Sequence, residues 1–211
     1  MSAALSAPQR AVTFAIASRL LQYPDELSVA QLPLLREAAG SLPDRAAAPL
    51  ARVLDHLAGA PLLDVQSGYV ATFDLQRRNC LYLTYYLNGD TRRRGMALWR
   101  FQHALARRGA TMADGELPDF LPAILELAAD GGEDLALTLL AEHRQGIELL
   151  RRSLDDQRSP YGEVIRVVEL ALPEPTAAAL AAARALATQG PPAEMVGLAP
   201  FVPVESVGMR Q

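Results

Sequence analysis

The chain has 211 residues, half of them hydrophobic, and a formal net charge of −4 at pH 7. This length suits one domain and allows a full buried core. The acidic balance argues against a nucleic-acid or anionic-membrane surface and favours a basic or apolar partner. The single cysteine, Cys80, excludes an internal disulfide and a cysteine cluster, and only three scattered histidines are present. We therefore expect no metal site and no permanently bound cofactor.

The N-terminal segment imitates a short signal peptide, because Arg10 precedes the apolar run AVTFAIA. Arg19 interrupts that run, and the apolar positions of residues 12–23 continue one helical stripe instead. No apolar run approaches the roughly 20 residues that a membrane-spanning helix needs. The sequence therefore predicts a cytoplasmic protein without stable membrane insertion, whose first helix covers about residues 8–22.

Prolines are expected to shorten the next two helices. Pro33 and Pro49 each lie where a full-length helix would break, so the predicted helices cover about residues 31–39 and 50–58. Pro61 then begins a helix that leads towards the centre of the chain.

The central segment 69–101 holds most of the aromatic residues. Its middle, LYLTYYL at residues 81–87, fits either a strand or a helix, and the following Asn88-Gly89 is typical of a hairpin. The residues after that turn do not alternate as a second strand would, but repeat at helical spacing. We therefore predict a buried helix over residues 81–87, which ends at a left-handed Gly89.

Capping residues are predicted at four helix starts. Ser28 resembles the first residue of a capping box, and Asp44 is a candidate cap for the following helix. Asp90 is expected to cap the helix after the central turn, and Asp119 the helix after that.

The second half of the chain is also predicted to be helical. A polar loop makes residues 109–118 the candidate hinge, and residues 191–211, rich in proline and glycine, are expected to form an extended or disordered C-terminal arm. Helices are predicted over about residues 119–130, 133–155 and 160–172, and from Thr176 to a stop at Gly190. The predicted fold class is all-α, a single-domain helical bundle over residues 1–190.

Aromatic side chains in the central segment form a candidate peptide-binding surface. Tyrosine offers a large contact area with few rotatable bonds and a polar tip. Two carboxylates near the predicted hinge suit a basic amphipathic peptide. The alternative is that the aromatics are core residues and that Asp119 is a simple helix cap. The candidates are Tyr69, Phe73, Tyr82, Tyr85, Tyr86, Glu116 and Asp119.

Charged residues in the same segment form a second candidate cluster. Asp74 and Arg78 have the spacing of an ion pair on one helix face. Three consecutive arginines from Arg92 oppose the dipole of the helix that they begin, which suggests acidic partners within the fold or on another protein. The candidate cluster consists of Asp74, Arg77, Arg78, Asp90, Arg92 and Arg93.

Other polar and sulfur-containing residues have simpler interpretations. His143 lies on an apolar helix face and is predicted to be a hydrogen-bonded core histidine. Cys80 is predicted to be a small buried hydrophobe. Met96, Trp99 and His103 share a helix face, either as a surface patch or as a second packing face. An enzyme would need a nucleophile with a base, tuned carboxylates or a metal set, and none can be assembled from neighbouring residues.

Two motifs resemble the signature of the NarJ family, the cytoplasmic chaperones that assemble the molybdenum cofactor into respiratory nitrate reductase. The motifs are YVATFDLQRRNCLYLTYYLNGDTRRRG at residues 69–95 and ELPDFLP at residues 116–122, and an early LQYPD at residues 21–25 is also similar. The resemblance implies a TorD-like helical chaperone that is not an enzyme. Its expected partner is the N-terminal peptide of the nitrate reductase catalytic (alpha) subunit, together with cofactor-biosynthesis proteins.

The resemblance also implies a role in cofactor delivery. The chaperone would keep the apoenzyme competent to receive molybdopterin guanine dinucleotide and would delay its membrane attachment. Two alternatives remain: a chaperone that reads the twin-arginine signal peptide of another molybdenum reductase, and a cofactor carrier in which the arginines from Arg92 to Arg94 hold a pyrophosphate.

Overall fold

A computed structural model describes residues 4–89, 91–107, 109 and 115–173. Over these residues the fold contains ten α-helices and no strand, which confirms the all-α prediction. No helix in this part is long and apolar enough to cross a membrane. The helices are α1 (Ala7–Leu20), α2 (Glu26–Gly40), α3 (Asp44–Ala58), α4 (Leu62–Tyr69), α5 (Leu83–Asn88), α6 (Arg92–Ala106), α7 (Leu121–Ala129), α8 (Glu133–Glu142), α9 (Arg144–Asp156) and α10 (Tyr161–Ala171).

One continuous apolar core holds these helices together. Helix α1 packs against α7 and α10, α3 packs against α2 and α10, and α9 packs against α10. Phe14, Leu50, Ile124 and Ile165 are completely buried in this core. Each such side chain contributes roughly 1.5–3 kcal/mol relative to an exposed one. The core therefore connects helices from both ends of the described chain.

Both prolines lie inside longer helices than the sequence predicts. Helix α2 contains Pro33 and α3 contains Pro49, so the predicted limits of 31–39 and 50–58 were wrong. Pro33 lies on the solvent side of α2, where a carbonyl without an intrahelical partner can bond water. Pro49 is buried, and packing against α10 offsets the backbone bond that it removes.

The predicted caps also differ from those observed. Asp25, rather than Ser28, caps α2: its side chain accepts a hydrogen bond from the Ser28 backbone N–H at 2.7 Å. Asp44 is the first helical residue of α3 and follows Pro43. Thr91 is the N-cap of α6, and Asp90, which was predicted to cap it, lies outside the described residues.

The central segment is less regular than a single helix. Helix α4 continues into a π-helical turn at Val70–Asp74, and a 3₁₀ turn follows at Arg77–Asn79. Helix α5 begins at Leu83, two residues later than predicted, because residues 81–82 are extended and Tyr82 forms an isolated antiparallel bridge with Phe120. Gly89 ends α5 with the positive φ of 57° that a left-handed cap needs, but its ψ of −156° lies outside the left-handed helical region, so the predicted left-handed Gly89 is right only in φ.

The second half contains a helix break that the sequence does not predict. Residues 133–155 form two helices, α8 and α9, which meet at His143. The side chain Nδ1 of His143 lies 2.8 Å from the carbonyl oxygen of Leu139, which also accepts the His143 backbone N–H. This local bond favours the turn at His143 over a continuous helix. Half of the predicted hinge (residues 110–114), the helix from Thr176 and the arm 191–211 lie outside the described residues.

Candidate functional site

An open groove of about 920 Å³ lies beside the end of α1, the π-helical turn, the extended residues 80–82 and α7. Five of the seven candidate peptide-binding residues line it, namely Tyr69, Phe73, Tyr82, Tyr85 and Glu116. The other aromatic lining residues are Tyr23 and Phe120, and the remaining charged ones are Asp74, Arg77, Arg94, Glu126 and Asp130.

One wall of the groove is an aromatic cluster. The ring of Tyr69 lies 5.5 Å from that of Tyr23, 4.8 Å from that of Phe73 and 6.0 Å from that of Tyr161. The Tyr69 hydroxyl donates a hydrogen bond to the carbonyl of Leu21 at 2.9 Å. Burial raises the pKa of Tyr69 and raises that of Tyr161 to about 12. The hydroxyls therefore stay protonated at neutral pH, and Tyr69 holds the end of α1 against α4.

Tyr82 forms a polar corner on the opposite wall. Its hydroxyl donates to a carboxylate oxygen of Glu116 at 3.2 Å, and its ring lies 5.4 Å from that of Phe120. The guanidinium of Arg94 lies 5.6 Å from the centre of the Tyr82 ring. Burial and the neighbouring Glu116 raise the pKa of Tyr82 to about 12. Tyr82 therefore offers a ligand its aromatic ring, since its hydroxyl already donates to Glu116.

Asp119 lies behind this wall rather than in the groove. It is completely buried, and its Oδ2 accepts hydrogen bonds from the backbone N–H of Thr84 at 3.0 Å and from the Thr84 hydroxyl at 2.6 Å. Asp119 thus caps α5 from a distant part of the chain, and the prediction that it caps its own helix was wrong, since Phe120 is the N-cap of α7.

Backbone bonds complete this connection between α5 and the start of α7. The N–H of Leu83 donates to the carbonyl of Asp119 at 2.9 Å, and the N–H of Leu121 donates to the carbonyl of Leu81 at 2.8 Å. Together with the Asp119–Thr84 bonds they form what we call the clasp, which joins residues 81–84 to residues 119–121. The clasp fixes the position of Tyr82 in the groove wall.

Tyr86 supports the groove from below. It is buried, it does not line the groove, and its hydroxyl lies 3.0 Å from the carbonyl oxygen of Arg78 and 2.9 Å from that of Cys80. This is the position of a core aromatic with a satisfied hydroxyl. Tyr85 is half-buried, and its ring lies 5.7 Å from that of Tyr86. Cys80 lines the groove and is only half-buried, so the prediction of a buried hydrophobe was wrong.

The candidate charged cluster is divided by the local backbone. Asp74 ends the π-helical turn and Arg78 belongs to the 3₁₀ turn, so the helical spacing between them is lost and no ion pair joins them. Asp74 and Arg77 line the groove. Arg92 and Arg93 are exposed in the first turn of α6, outside the groove. Of the five cluster residues that the structure describes, only Asp74 and Arg77 therefore lie at the groove, and Asp90 lies outside the described residues.

Four carboxylates and two arginines surround the groove, so its rim is acidic. Sequence reasoning missed Tyr23, Phe120, Glu126 and Asp130, which reach the groove from two separate segments, the end of α1 and helix α7 with its two caps. The signal that could have found Tyr23 is its place before a proline, where an aromatic residue leaves the helix. Within the described ranges, no group of three or more histidine, cysteine, aspartate or glutamate residues could hold a metal ion.

Comparison with known proteins explains why these features occur together. Residues 39–166 match the family model described as nitrate reductase delta subunit. The chain belongs to this family. It is 29% identical over 169 residues to the probable nitrate reductase molybdenum cofactor assembly chaperone NarJ of Bacillus subtilis, with coverage of 80% of this chain and 92% of that protein. The resemblance to the NarJ family is therefore confirmed.

Two other relatives differ in length from this chain. It is 32% identical over 153 residues to the nitrate reductase molybdenum cofactor assembly chaperone NarJ of Escherichia coli K12, which covers 71% of this chain and 65% of that protein. It is 36% identical over 157 residues to the nitrate reductase-like protein NarX of Mycobacterium tuberculosis H37Rv. That match covers 74% of this chain, which spans only 24% of NarX.

A solved structure shares the fold. The putative redox enzyme maturation protein from Archaeoglobus fulgidus superposes with a TM-score of 0.56 at 18% identity, covering 75% of this chain and 91% of that one. The predicted fold type of the redox enzyme maturation proteins is thus confirmed. The family members named NarJ are assembly chaperones rather than catalysts, which confirms the prediction that this family is not enzymatic.

Proposed function

We propose that this chain is a cytoplasmic assembly chaperone for a respiratory nitrate reductase, and that its groove binds the N-terminal segment of the catalytic subunit. The observation that carries the proposal is the preformed aromatic groove with an acidic rim, in a chain of this family. A peptide that is apolar on one face and basic at its edges fits both properties.

The chemistry of the groove favours an apolar ligand face. The hydroxyls of Tyr69 and Tyr82 already have hydrogen-bond partners, so their rings are the parts that a ligand contacts. These rings are held by stacking and by hydrogen bonds, and little side-chain entropy is lost when they bind a partner. An amphipathic helix that lays its apolar face into the groove therefore needs no rearrangement of this wall.

The acidic rim favours basic residues at the edges of the same peptide. Asp74 and Asp130 are exposed at the groove, and Glu116 lies between them and the aromatic wall. Exposed pairs of this kind add little affinity each, but they orient the ligand and reject acidic peptides. Charge thus selects the peptide, while apolar contact supplies most of its affinity.

The proposed effect on the cofactor is indirect. With its N-terminal segment held, the client stays open to insertion of molybdopterin guanine dinucleotide and does not attach to the membrane. Cofactor-biosynthesis proteins would then act on the complex. The chaperone itself performs no chemistry, and it leaves the finished enzyme.

Calorimetric titration with a synthetic peptide of the client N-terminus tests this proposal. Tyr85→Ala is expected to weaken binding at least tenfold, because an aromatic hot spot is worth about 2 kcal/mol or more and about 1.4 kcal/mol is a factor of ten. Asp74→Asn combined with Asp130→Asn is expected to weaken it only a few-fold. Binding of the wild-type protein should also show a negative heat-capacity change, since apolar area is buried.

Asp156→Asn is the matched control, because Asp156 is exposed in α9 and does not line the groove. Unfolding of each variant shows whether it is folded. If Tyr85→Ala binds the peptide as tightly as the control, the groove is not the binding site. Tighter binding of a twin-arginine signal peptide would favour the other reductase client, and tighter binding of the guanine dinucleotide cofactor would favour a cofactor carrier.

A further inference from the structure

Helix α6 has an outer face that the groove does not use. Met96 and Trp99 are exposed by 59% and 57%, and the Trp99 ring stacks on that of His103 with the ring centres 5.1 Å apart. Arg94 and Leu105, which line the groove, lie on the opposite side of the same helix. The outer face therefore points away from the groove and can be occupied while a peptide is bound.

Arginines line one side of this aromatic and apolar patch. Arg93, Arg100 and Arg107 are exposed, and none of them forms an ion pair within the described part of the chain. Arginines of other helices are neutralised by neighbouring carboxylates. Those with such partners are Arg10, Arg19, Arg36, Arg52, Arg151, Arg152 and Arg166.

Charge in this chain is separated along the sequence. Residues 91–113 contain six arginines and no acidic residue. The rest of the chain contains fourteen arginines and all twenty-four acidic residues, which gives it a net charge of −10. The overall charge of −4 therefore includes a stretch that is basic by itself, in which Arg93, Arg100 and Arg107 are exposed. The net charge, which argues against an anionic-membrane surface, is an average over the whole chain and does not describe this stretch.

We propose that the outer face of α6 binds the surface of an anionic lipid bilayer. The helix has 15 residues and is about 22 Å long, so its face can lie along a flat surface. Tryptophan prefers the headgroup level of a bilayer, and methionine adds apolar contact just below it. Guanidinium groups along one side of this face reach the phosphates.

A lipid surface explains this combination better than an acidic protein does. A protein partner that met these three arginines would need matching carboxylates in fixed places, whereas lipid phosphates move to the charges. In a bilayer the apolar acyl chains also lie directly beneath the anionic headgroups, so the exposed Trp99 ring can contact both. The binding is peripheral and reversible, because the other side of α6, with Phe101 and Leu105, stays buried in the protein core.

Fluorescence tests the proposal directly, because Trp99 is the only tryptophan of the chain. The full-length protein is titrated with vesicles of equal parts phosphatidylglycerol and phosphatidylcholine, and with vesicles of phosphatidylcholine alone. We expect a blue shift of the emission and co-sedimentation with the anionic vesicles only. Raising the salt concentration should reverse both effects.

The matched variants carry the same change in net charge. Arg93→Gln with Arg100→Gln is expected to lower the partition coefficient roughly thirtyfold, as for two arginines lost from a membrane surface. Arg36→Gln with Arg52→Gln removes two exposed arginines from α2 and α3 and should change it less than about threefold. Circular dichroism of both variants shows that they remain helical.

Three results would overturn the proposal. The first is an emission that neither vesicle type shifts, and the second is an equal loss of binding in both variant pairs. The third is a blue shift with polyglutamate but not with anionic vesicles, which would identify an acidic protein as the partner of this face. Peptide binding in the groove is measured separately, so failure here leaves the proposed function intact.

Discussion

The bundle core and the clasp hold their helices in different ways. In the core, α1, α3, α7 and α10 are joined by apolar side chains such as Leu50 and Ile124, which are completely buried. At the clasp, the six-residue helix α5 is joined to the start of α7 mainly by directed hydrogen bonds that Asp119 accepts. Apolar burial has no direction and tolerates many sequences, whereas a hydrogen-bonded corner needs particular residues.

This difference explains where the family motifs occur. Both motifs meet at the clasp: residues 69–95 contain Thr84, and residues 116–122 contain Asp119. A helix of six residues is too short to be stable alone, so its position depends on these contacts. We infer that the core sets the stability of the fold and that the clasp sets the shape of the groove.

The largest expected effect is on the core. Leu50→Ala removes a completely buried side chain and is expected to lower the free energy of unfolding by about 3 kcal/mol. Urea denaturation followed by circular dichroism measures the loss. The folded fraction should still bind the client peptide as the wild type does. A loss below about 1 kcal/mol would contradict this expectation, and would mean that the neighbouring side chains move in to fill the space that Leu50 leaves.

A smaller loss of stability is expected at the clasp. Asp119→Ala leaves the Thr84 N–H and hydroxyl without their acceptor, which is expected to cost about 2 kcal/mol. It should also weaken peptide binding, because Tyr82 is no longer held in the groove wall. Asp119→Asn keeps one acceptor oxygen, so it should lose less stability and less peptide affinity than Asp119→Ala. If Asp119→Ala destabilises the protein but binds peptide normally, the groove does not depend on the clasp.

The smallest effect concerns pH at the boundary between the two regions. Burial lowers the pKa of His143, which packs against Phe101 at 5.1 Å. Below about pH 6.5 the unfolded state therefore binds a proton that the folded state does not, and stability falls as the pH falls. Above that pH His143 is neutral in both states, and this loss of stability is absent. His143→Gln should make the stability between pH 7 and pH 5 less dependent on pH, and equal slopes for both proteins would refute the assignment.

The sequence predicts the core better than the clasp. Helical spacing predicts α1, α7 and α10 and most of their buried residues, because each pattern lies within one short window. Asp119 and Thr84 are 35 positions apart, so no local pattern shows that one caps the helix of the other. The break at His143 is hidden for a similar reason, since the residues on both sides continue one apolar stripe.

The groove itself was predicted in part. The aromatic composition of segment 69–86 predicts a binding surface, and four of its five candidate aromatic residues line the groove. The spacing of Asp74 and Arg78 was misleading because the π-helical turn ends at Asp74 and Arg78 belongs to a separate 3₁₀ turn. Tyr23, Phe120, Glu126 and Asp130 come from elements that meet only in the folded chain. Residue type can therefore nominate a site, but tertiary packing decides its members.

Gly146 in α9 lies behind the groove, and its lack of a side chain affects the shape of the groove wall. A Cβ at Gly146 would lie 2.8 Å from the Cβ of Tyr86, so the tyrosine fits only because this position in α9 is glycine. The Tyr86 hydroxyl in turn holds the carbonyls of Arg78 and Cys80, directly before the extended residues of the groove wall. A single added methyl group there would displace the wall without touching any ligand. Selection for a new client peptide can therefore act through position 146, which a search confined to groove residues would overlook.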